Sequence, residues 1–297
     1  MRVVIAGSSG LIGTALQQSL RSDGHDVVSL VRREAHGPRE SSWDPQRGKV
    51  DIDLLQTADA VVNLAGASIG SKRLTSSYAD VVLQSRLDST STLVNGLIAA
   101  EYSGVLLQGS AMGYYGARGE ERLSERSGPG DTLLARIVTQ WEAASRPAVE
   151  AGIRTVVCRT GLVLAGHGGF AERLLPLVKR GLLRSLGTGD AWHAWITLDD
   201  QIRAQRFLLE SDHAGPANII APIAVRDRDL IRVMSEAAGK SPGLPVPATA
   251  LRLAIGPAIE DLLSSQLATP GVLTRLGFEW QYPEITAAAQ HVLASAH

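Results

Sequence analysis

A short apolar strand, Arg2-Val-Val-Ile-Ala6, runs straight into Gly7-Ser-Ser-Gly10-Leu-Ile-Gly13, three glycines spaced three apart. Each glycine has its own task in such a turn. Gly7 permits the tight bend, Gly10 lets backbone approach a pyrophosphate, and Gly13 lets the next helix pack closely on the strand. The anion then rests at the positive N-terminus of that helix. The helix pattern covers Leu11–Ser22, with Leu11, Ile12, Ala15, Leu16 and Leu20 on one face, and a second strand follows. The competing reading is a glycine-rich turn that holds nothing; the strand–turn–helix setting favours a dinucleotide. Gly7, Ser9, Gly10, Leu11, Ile12 and Gly13 are the expected contacts.

The rest of the chain repeats this alternation. Apolar, β-rich runs lie at Arg2–Ala6, Asp26–Val31, Ala60–Leu64, Val105–Gln108 and Arg154–Arg159, with helical stretches at Leu11–Ser22, Thr75–Ala100 and Asp131–Ala151. Continuous apolar strands separated by helices predict an α/β fold: a doubly wound parallel sheet covered on both faces, with its ligand edge at the carboxyl ends of the strands. Past Ala221 the texture changes. Pro242, Pro245 and Pro247 punctuate a loop, and the remainder reads as a small, mostly helical C-terminal substrate region. Residues 1–240 are therefore expected to form the dinucleotide-binding domain, with pocket segments near 161–195, and 241–297 a small domain completing the pocket.

With 297 residues, 44% hydrophobic, the chain has ample core for this plan. A net charge of -1 makes no electrostatic case for nucleic acid or an anionic membrane. No apolar run approaches the roughly 18 residues of a membrane span, and no basic-then-apolar leader precedes the first strand, so a cytoplasmic location is expected. Cys158 stands alone in an apolar strand and reads as a packed thiol rather than a nucleophile, disulfide partner or metal ligand. The seven histidines show no metal-ligand spacing.

Folds that prefer NAD place a carboxylate at the end of the second strand to bond the ribose 2′-hydroxyl. Here that strand ends Val31-Arg32-Arg33. Two guanidinium groups suit a 2′-phosphate, which selects NADP over a merely solvated arginine pair. Trp43-Asp44-Pro45 lies in the following loop, where it can flank the adenine. The strand ending Val62-Asn63 continues into Leu64, Ala65 and Gly66, whose small size lets backbone pass beside the adenine ribose. Arg86, on the long helix beyond, either reaches the pyrophosphate or stays solvated.

Further motifs occur in order: the glycine loop, Asn63–Gly66, Ser85-Arg86, Ser110-Ala-Met-Gly-Tyr114-Tyr115-Gly116, Trp141-Glu142, Arg159-Thr160-Gly161, and Trp195-Ile-Thr-Leu-Asp199-Asp200. Together with Pro245-Val-Pro247 and Gly277-Phe278 they resemble atypical short-chain dehydrogenase/reductases of the NAD(P)-dependent epimerase/dehydratase superfamily. The likeness is to the nucleoside-diphosphate-sugar epimerase-like proteins that end in a small domain of unknown function, and it spans nearly the whole chain. It implies an extended Rossmann fold, NADP binding, a pocket between the sheet edge and the C-terminal region, and backbone contact to the cofactor from Leu162.

The catalytic pair of the wider superfamily, Tyr-x-x-x-Lys, is absent. One helical turn puts such a pair on one face, where the lysine's charge lowers the tyrosine pKa. Lysines occur only at 49, 72, 179 and 240, none four residues after a tyrosine, and the expected helix offers Leu133 and Ile137. Ser110, at the carboxyl end of its strand, and Tyr114 and Tyr115 beyond it remain as candidate catalytic hydroxyls; aligning on Tyr115-Gly116 puts Ala111 where the superfamily's second serine would sit. For both tyrosines the bland alternative is an aromatic pair packed under a loop.

Gly166-His167-Gly168-Gly169 reads as a loop able to close over substrate, His193 as pocket wall or strand core, and Asp199 and Asp200 as caps of the following helix. Two functions follow: an NADP-dependent oxidoreductase or nucleotide-sugar epimerase-like enzyme with a non-standard proton donor, or a non-catalytic NADP(H)-binding redox sensor. A methyltransferase is disfavoured, because the arginines after the second strand lack the acidic ribose partner. The expected partner is a small molecule, a nucleotide sugar or a small carbonyl, in a monomer or homodimer.

Overall fold

Seven parallel strands form the central sheet: β1 (Arg2–Ala6), β2 (Asp26–Val31), β3 (Glu40–Ser42), β4 (Ala60–Asn63), β5 (Val105–Ala111), β6 (Arg154–Thr160) and β7 (Gly215–Ile219), hydrogen-bonded in the order β7-β6-β5-β4-β1-β2-β3. The structure is a computed structural model and describes residues 1–69, 73–168, 175–247, 249 and 263–296. The order reverses between β1 and β4, which opens the crevice where ligands of such sheets bind.

Helices among the described residues include α1 (Leu11–Ser22), α2 (Ile52–Gln56), α3 (Ser76–Ala99), α4 (Leu133–Ala143), α5 (Arg146–Glu150), α6 (Leu198–Glu210), α7 (Asp227–Ala237), α8 (Gly271–Arg275) and α9 (Ile285–Ala294). They cover both faces, and side-chain alternation shows it on one strand. Val3 and Ile5 pack with Leu16, Leu20, Ile202 and Leu208 of α1 and α6. Val4 and Ala6 pack on the opposite face with Leu54, Leu93 and Leu97 of α2 and α3. Each such aliphatic side chain contributes about 1.5–3 kcal/mol when fully buried. Burial on both faces is why the strands read as unbroken apolar runs.

β1, β2 and α1 occupy the residues their patterns predict. Thr75 caps α3 by accepting from the Tyr78 amide, and β5 continues past Gln108 to Ala111. The helical pattern over Asp131–Ala151 is two helices. Thr132 caps α4, and the break falls at Ala144–Ser145, before Pro147 in the first turn of α5. β3, α2 and β7 carry no legible pattern: β3 is Glu-Ser-Ser, and β7 opens Gly-Pro.

The described C-terminal residues return to the sheet. Val272 and Leu273 of α8 join the core around α1 and α6, while α9 packs on α7 through Ala288, Ala289 and Val292 against Leu230, Ile231 and Met234. Asp200 does not cap α6; Thr197 does, accepting from the Asp200 amide at 3.1 Å. The fully buried Asp200 carboxylate instead accepts the amides of Gln281 (2.7 Å) and Tyr282 (2.8 Å), which pins the C-terminal segment to the sheet edge. The 250–262 stretch read as helical, and residues 169–174 of the expected pocket segments, lie outside the described residues.

Candidate functional site

The three glycines of the loop stand under different constraints. Gly7 has φ +81°, and a Cβ there would lie 2.6 Å from the Leu64 carbonyl. A Cβ on Gly13 would lie 2.2 Å from the Gly7 oxygen. Both are glycine because protein backbone touches them. Gly10 is not: its Cβ would meet nothing nearer than the Gly7 oxygen at 3.5 Å, an ordinary contact. The space above Gly10 is open, and no side chain caps α1 there. The first-turn amides of α1 have no intrahelical acceptor, which leaves a cradle of the shape and polarity a pyrophosphate needs. Ser9 is exposed at its edge, and Leu11 and Ile12 are half-buried.

Beside the loop, at the carboxyl ends of β1 and β2, lies a cavity of about 570 Å³ lined by Ser8, Ser9, Val31, Arg33, Arg39 and Glu40 among others. Arg33 donates to both Glu40 carboxylate oxygens, at 2.7 and 2.6 Å, and to the Glu34 carbonyl at 2.8 Å. Arg32 is not part of this wall. It is exposed, lies outside the cavity wall, and makes no hydrogen bond or ion pair among the described residues. Trp43 is buried in the core with Val28 and Leu30 rather than at the cavity.

The loop after β4 is held from behind. Asn63 donates to Thr90 (3.1 Å) and Gln108 (3.0 Å), and its oxygen accepts the Ala65 amide at 3.2 Å. Arg86 donates to the carbonyls of Ala67 (2.9 Å) and Val82 (3.0 Å) and lies over the Trp141 ring. It is neither solvated nor, in this arrangement, directed beyond the loop. Burial lowers its pKa to about 10, so it remains charged at neutral pH. A Cβ on Gly66 would come within 3.1 Å of its guanidinium.

At the ends of β5, β6 and β7 the sheet register sets three polar residues in a row: Ser110 opposite Arg159, and Arg159 opposite Asn218. Side chains in register share a face, and α4 adds Glu142 above them. Ser110 Oγ donates to Glu142 Oε1 at 2.5 Å, while Arg159 donates to both Glu142 oxygens at 2.9 Å. The Arg159 side chain is 4% exposed and Glu142 14%. Burial opposes the Arg159 charge, but Glu142 and Tyr115 outweigh it and raise its proton affinity.

Tyr115 is fully buried. Its hydroxyl accepts from Arg159 at 2.9 Å and donates to Asn218 Oδ1 at 2.8 Å, so both roles are taken. Burial pushes its pKa up. Tyr114 differs: it is half-buried, its ring centroid lies 3.6 Å from the Arg159 guanidinium carbon, and its hydroxyl has no hydrogen-bond partner among the described residues. Glu125 closes the network toward the C-terminal segment, accepting the amides of Asn218 (3.2 Å) and Val272 (3.0 Å).

Leu133 and Ile137 pack with Leu74, Ala79 and Val82, so α4 buries an apolar face where a Tyr/Lys pair would stand. The Leu162 amide donates to the Ala194 carbonyl at 2.8 Å. His167 is exposed, and a Cβ on its neighbour Gly168 would lie 3.3 Å from Leu11, so this loop passes over the start of α1; Gly169 lies outside the described residues. His193 is buried against Asp227 at 3.2 Å. Cys158 is buried, and burial raises its pKa, as a packed thiol requires. Among the described residues no group of three His, Cys, Asp or Glu is placed to hold a metal, and no helix is long and apolar enough to cross a membrane. Sequence reasoning passed over Glu142, Arg159, Asn218, Arg39 and Glu40 as site residues; a charged residue set inside an apolar helix face or strand was the available signal for the first two.

Comparison with known proteins bears on the family and the fold. A family model described as the NAD dependent epimerase/dehydratase family matches residues 3–224, and a second, a domain of unknown function, matches 246–292. The chain is 37% identical over 288 residues to an epimerase family protein of Mycobacterium bovis, Mb2239, covering 96% of this chain and 95% of that one. The structure of the human epimerase family protein SDR39U1 (isoform2), solved with NADPH, superposes with a TM-score of 0.89 at 28% identity over 99% of each chain. A nucleoside-diphosphate sugar epimerase from Corynebacterium glutamicum gives 0.81 at 34% identity, over 99% of this chain and 58% of that one.

Proposed function

From the premise that the chain belongs to the NAD dependent epimerase/dehydratase family, we propose that it binds NADP(H) at its glycine loop and acts as an oxidoreductase or epimerase-like enzyme on a hydroxyl-bearing small molecule, a nucleotide sugar being the first class to test. Gly10 and the first-turn amides of α1 hold the pyrophosphate. Arg33 and Arg39 wall the cavity toward the adenine ribose, and Leu64, Ala65 and Gly66 border it from the β4 side, held in place by Arg86. Val31 and Ser9 complete the cavity wall, while Leu162 and the Gly166–Gly168 loop border the other end. The cofactor, when bound, supplies hydride exchange at its nicotinamide ring.

The chain's own share is proton handling. Ser110 has given its proton to the hydrogen bond with Glu142, so its oxygen meets a ligand as an acceptor. A substrate hydroxyl donates to it, and the proton can pass on as Ser110 releases its own to Glu142. Tyr114 is the hydroxyl still able to donate. Tyr115 is occupied and serves to orient Arg159. The observation that carries this reading is the Ser110–Glu142 hydrogen bond at the carboxyl end of β5.

A panel of nucleotide sugars and small carbonyls, followed by nicotinamide absorbance, tests it. Ser110→Ala and Tyr114→Phe should each lower turnover by roughly a hundredfold or more while NADPH binding stays within about twofold of wild type. Full turnover in both variants contradicts the proposal. A second reading is a non-catalytic NADP(H)-binding redox sensor, favoured by the apolar packing of Leu133 and Ile137. Tight NADPH binding with no turnover across the panel would select it.

A further inference from the structure

The cavity beside the glycine loop carries two opposed specificity signals. In dinucleotide folds an acidic side chain here bonds the ribose 2′-hydroxyl, whereas an arginine accommodates a 2′-phosphate. This chain has both, and they are bonded to each other. Both terminal nitrogens of Arg33 donate to the Glu40 carboxylate, at 2.7 and 2.6 Å. The Glu40 carboxylate is fixed further by the His36 amide at 2.8 Å. Both residues line the cavity with Ser8 and Ser9 of the glycine loop, so the pair lies where the adenosine end of a ligand seated on Gly10 arrives.

Two consequences follow from charge and valence. The Arg33 charge is already compensated, so an incoming 2′-phosphate must share or displace a carboxylate that also repels it. A ribose 2′-hydroxyl, by contrast, meets an oriented acceptor. Arg33 above all, helped by the His36 amide, holds the Glu40 pKa down to about 2, so the carboxylate is charged throughout the neutral range. Arg21 and Arg39 are cavity guanidiniums without an ion pair among the described residues, and Arg21 donates to the Val27 carbonyl.

Resting on the NADP(H) reading above, we propose that Glu40 is the cofactor-specificity residue of this chain: it occupies Arg33 as an internal counter-ion in place of a 2′-phosphate, and so narrows the preference for NADP(H) and admits NAD(H). The arginines after β2 alone would read as a strict NADP signature. The ion pair, with side chains 51% and 25% exposed, makes the site permissive instead.

Fragments lacking nicotinamide isolate the effect. 2′,5′-ADP and 5′-ADP would be titrated calorimetrically into wild type, Glu40→Gln and Arg33→Ala. Glu40→Gln should tighten 2′,5′-ADP by roughly three- to tenfold, a partly exposed charge effect, and leave 5′-ADP unchanged or weaker. Arg33→Ala should weaken 2′,5′-ADP selectively. NADPH and NADH should follow the two fragments. If Glu40→Gln leaves 2′,5′-ADP unchanged or weakens it, Glu40 only positions Arg33 and the inference is overturned. Wild type binding neither fragment nor NADPH would instead overturn the cofactor reading itself, so the two failures are distinguishable.

Discussion

The glycine loop and the β5–α4–β6 corner share one edge of one sheet, yet they are specified in opposite ways. At the loop the determinants are neighbours in sequence: Gly7, Gly10 and Gly13 recur every third residue, and Gly13 answers to the backbone of Gly7, although Gly7 itself meets the Leu64 carbonyl of the loop after β4. At the corner the determinants come from far apart. Ser110 and Glu142 are separated by 32 residues and Tyr115 and Asn218 by 103, and only the register of β5, β6 and β7 brings them into a row. A local motif shapes the cofactor cradle, and a tertiary network builds the corner proposed to handle a proton.

Breaking the network should cost most. Arg159→Ala leaves Glu142 buried without its counter-charge, and we expect a loss of about 3–5 kcal/mol in denaturant unfolding. Loss below about 1 kcal/mol would mean the corner tolerates an unpaired carboxylate, against the account.

The loop gives the next effect, and a sharper contrast. Gly13→Ala places a methyl 2.2 Å from the Gly7 oxygen, which should destabilise by about 1–3 kcal/mol or more. Gly10→Ala has room, so its unfolding free energy should stay within about 0.5 kcal/mol of wild type while NADPH affinity falls at least tenfold. If Gly10→Ala binds NADPH normally, the open space above Gly10 is not the pyrophosphate seat.

Smallest is the tyrosine pair. Tyr115→Phe removes a buried hydroxyl and strands Asn218, costing about 1–3 kcal/mol. Tyr114→Phe removes a hydroxyl with no partner among the described residues and should change stability by less than about 0.5 kcal/mol, its effect falling on turnover. Equal stabilities for the two would erase the distinction drawn between them.

How much was legible follows the same division. β1, α1 and β2 are readable because apolar period and glycine placement are local properties. β3 and β7 are not, since their residues carry no strand pattern and are held by pairing to neighbours. The NADP signature at Arg32 and Arg33 is half the site: Arg33 lines the cavity, Arg32 does not, and Arg39 and Glu40 enter only because β3 pairs with β2. The two tyrosines look alike in sequence, and only burial separates the free hydroxyl of Tyr114 from the spent one of Tyr115. Leu133 and Ile137 are legible in the sequence, but the Ser110–Glu142–Arg159 network is not, because Glu142 is one residue in an amphipathic helix until Arg159 is placed beneath it.

A crystal structure with NADP+ bound tests the central claim most directly. The account predicts the pyrophosphate over Gly10 and the first turn of α1, the 2′-phosphate in the Arg33–Arg39 cavity, and Ser110 and Tyr114 as the hydroxyls facing nicotinamide C4. A pyrophosphate seated away from Gly10, or a C4 face lined by side chains other than Ser110 and Tyr114, would contradict it.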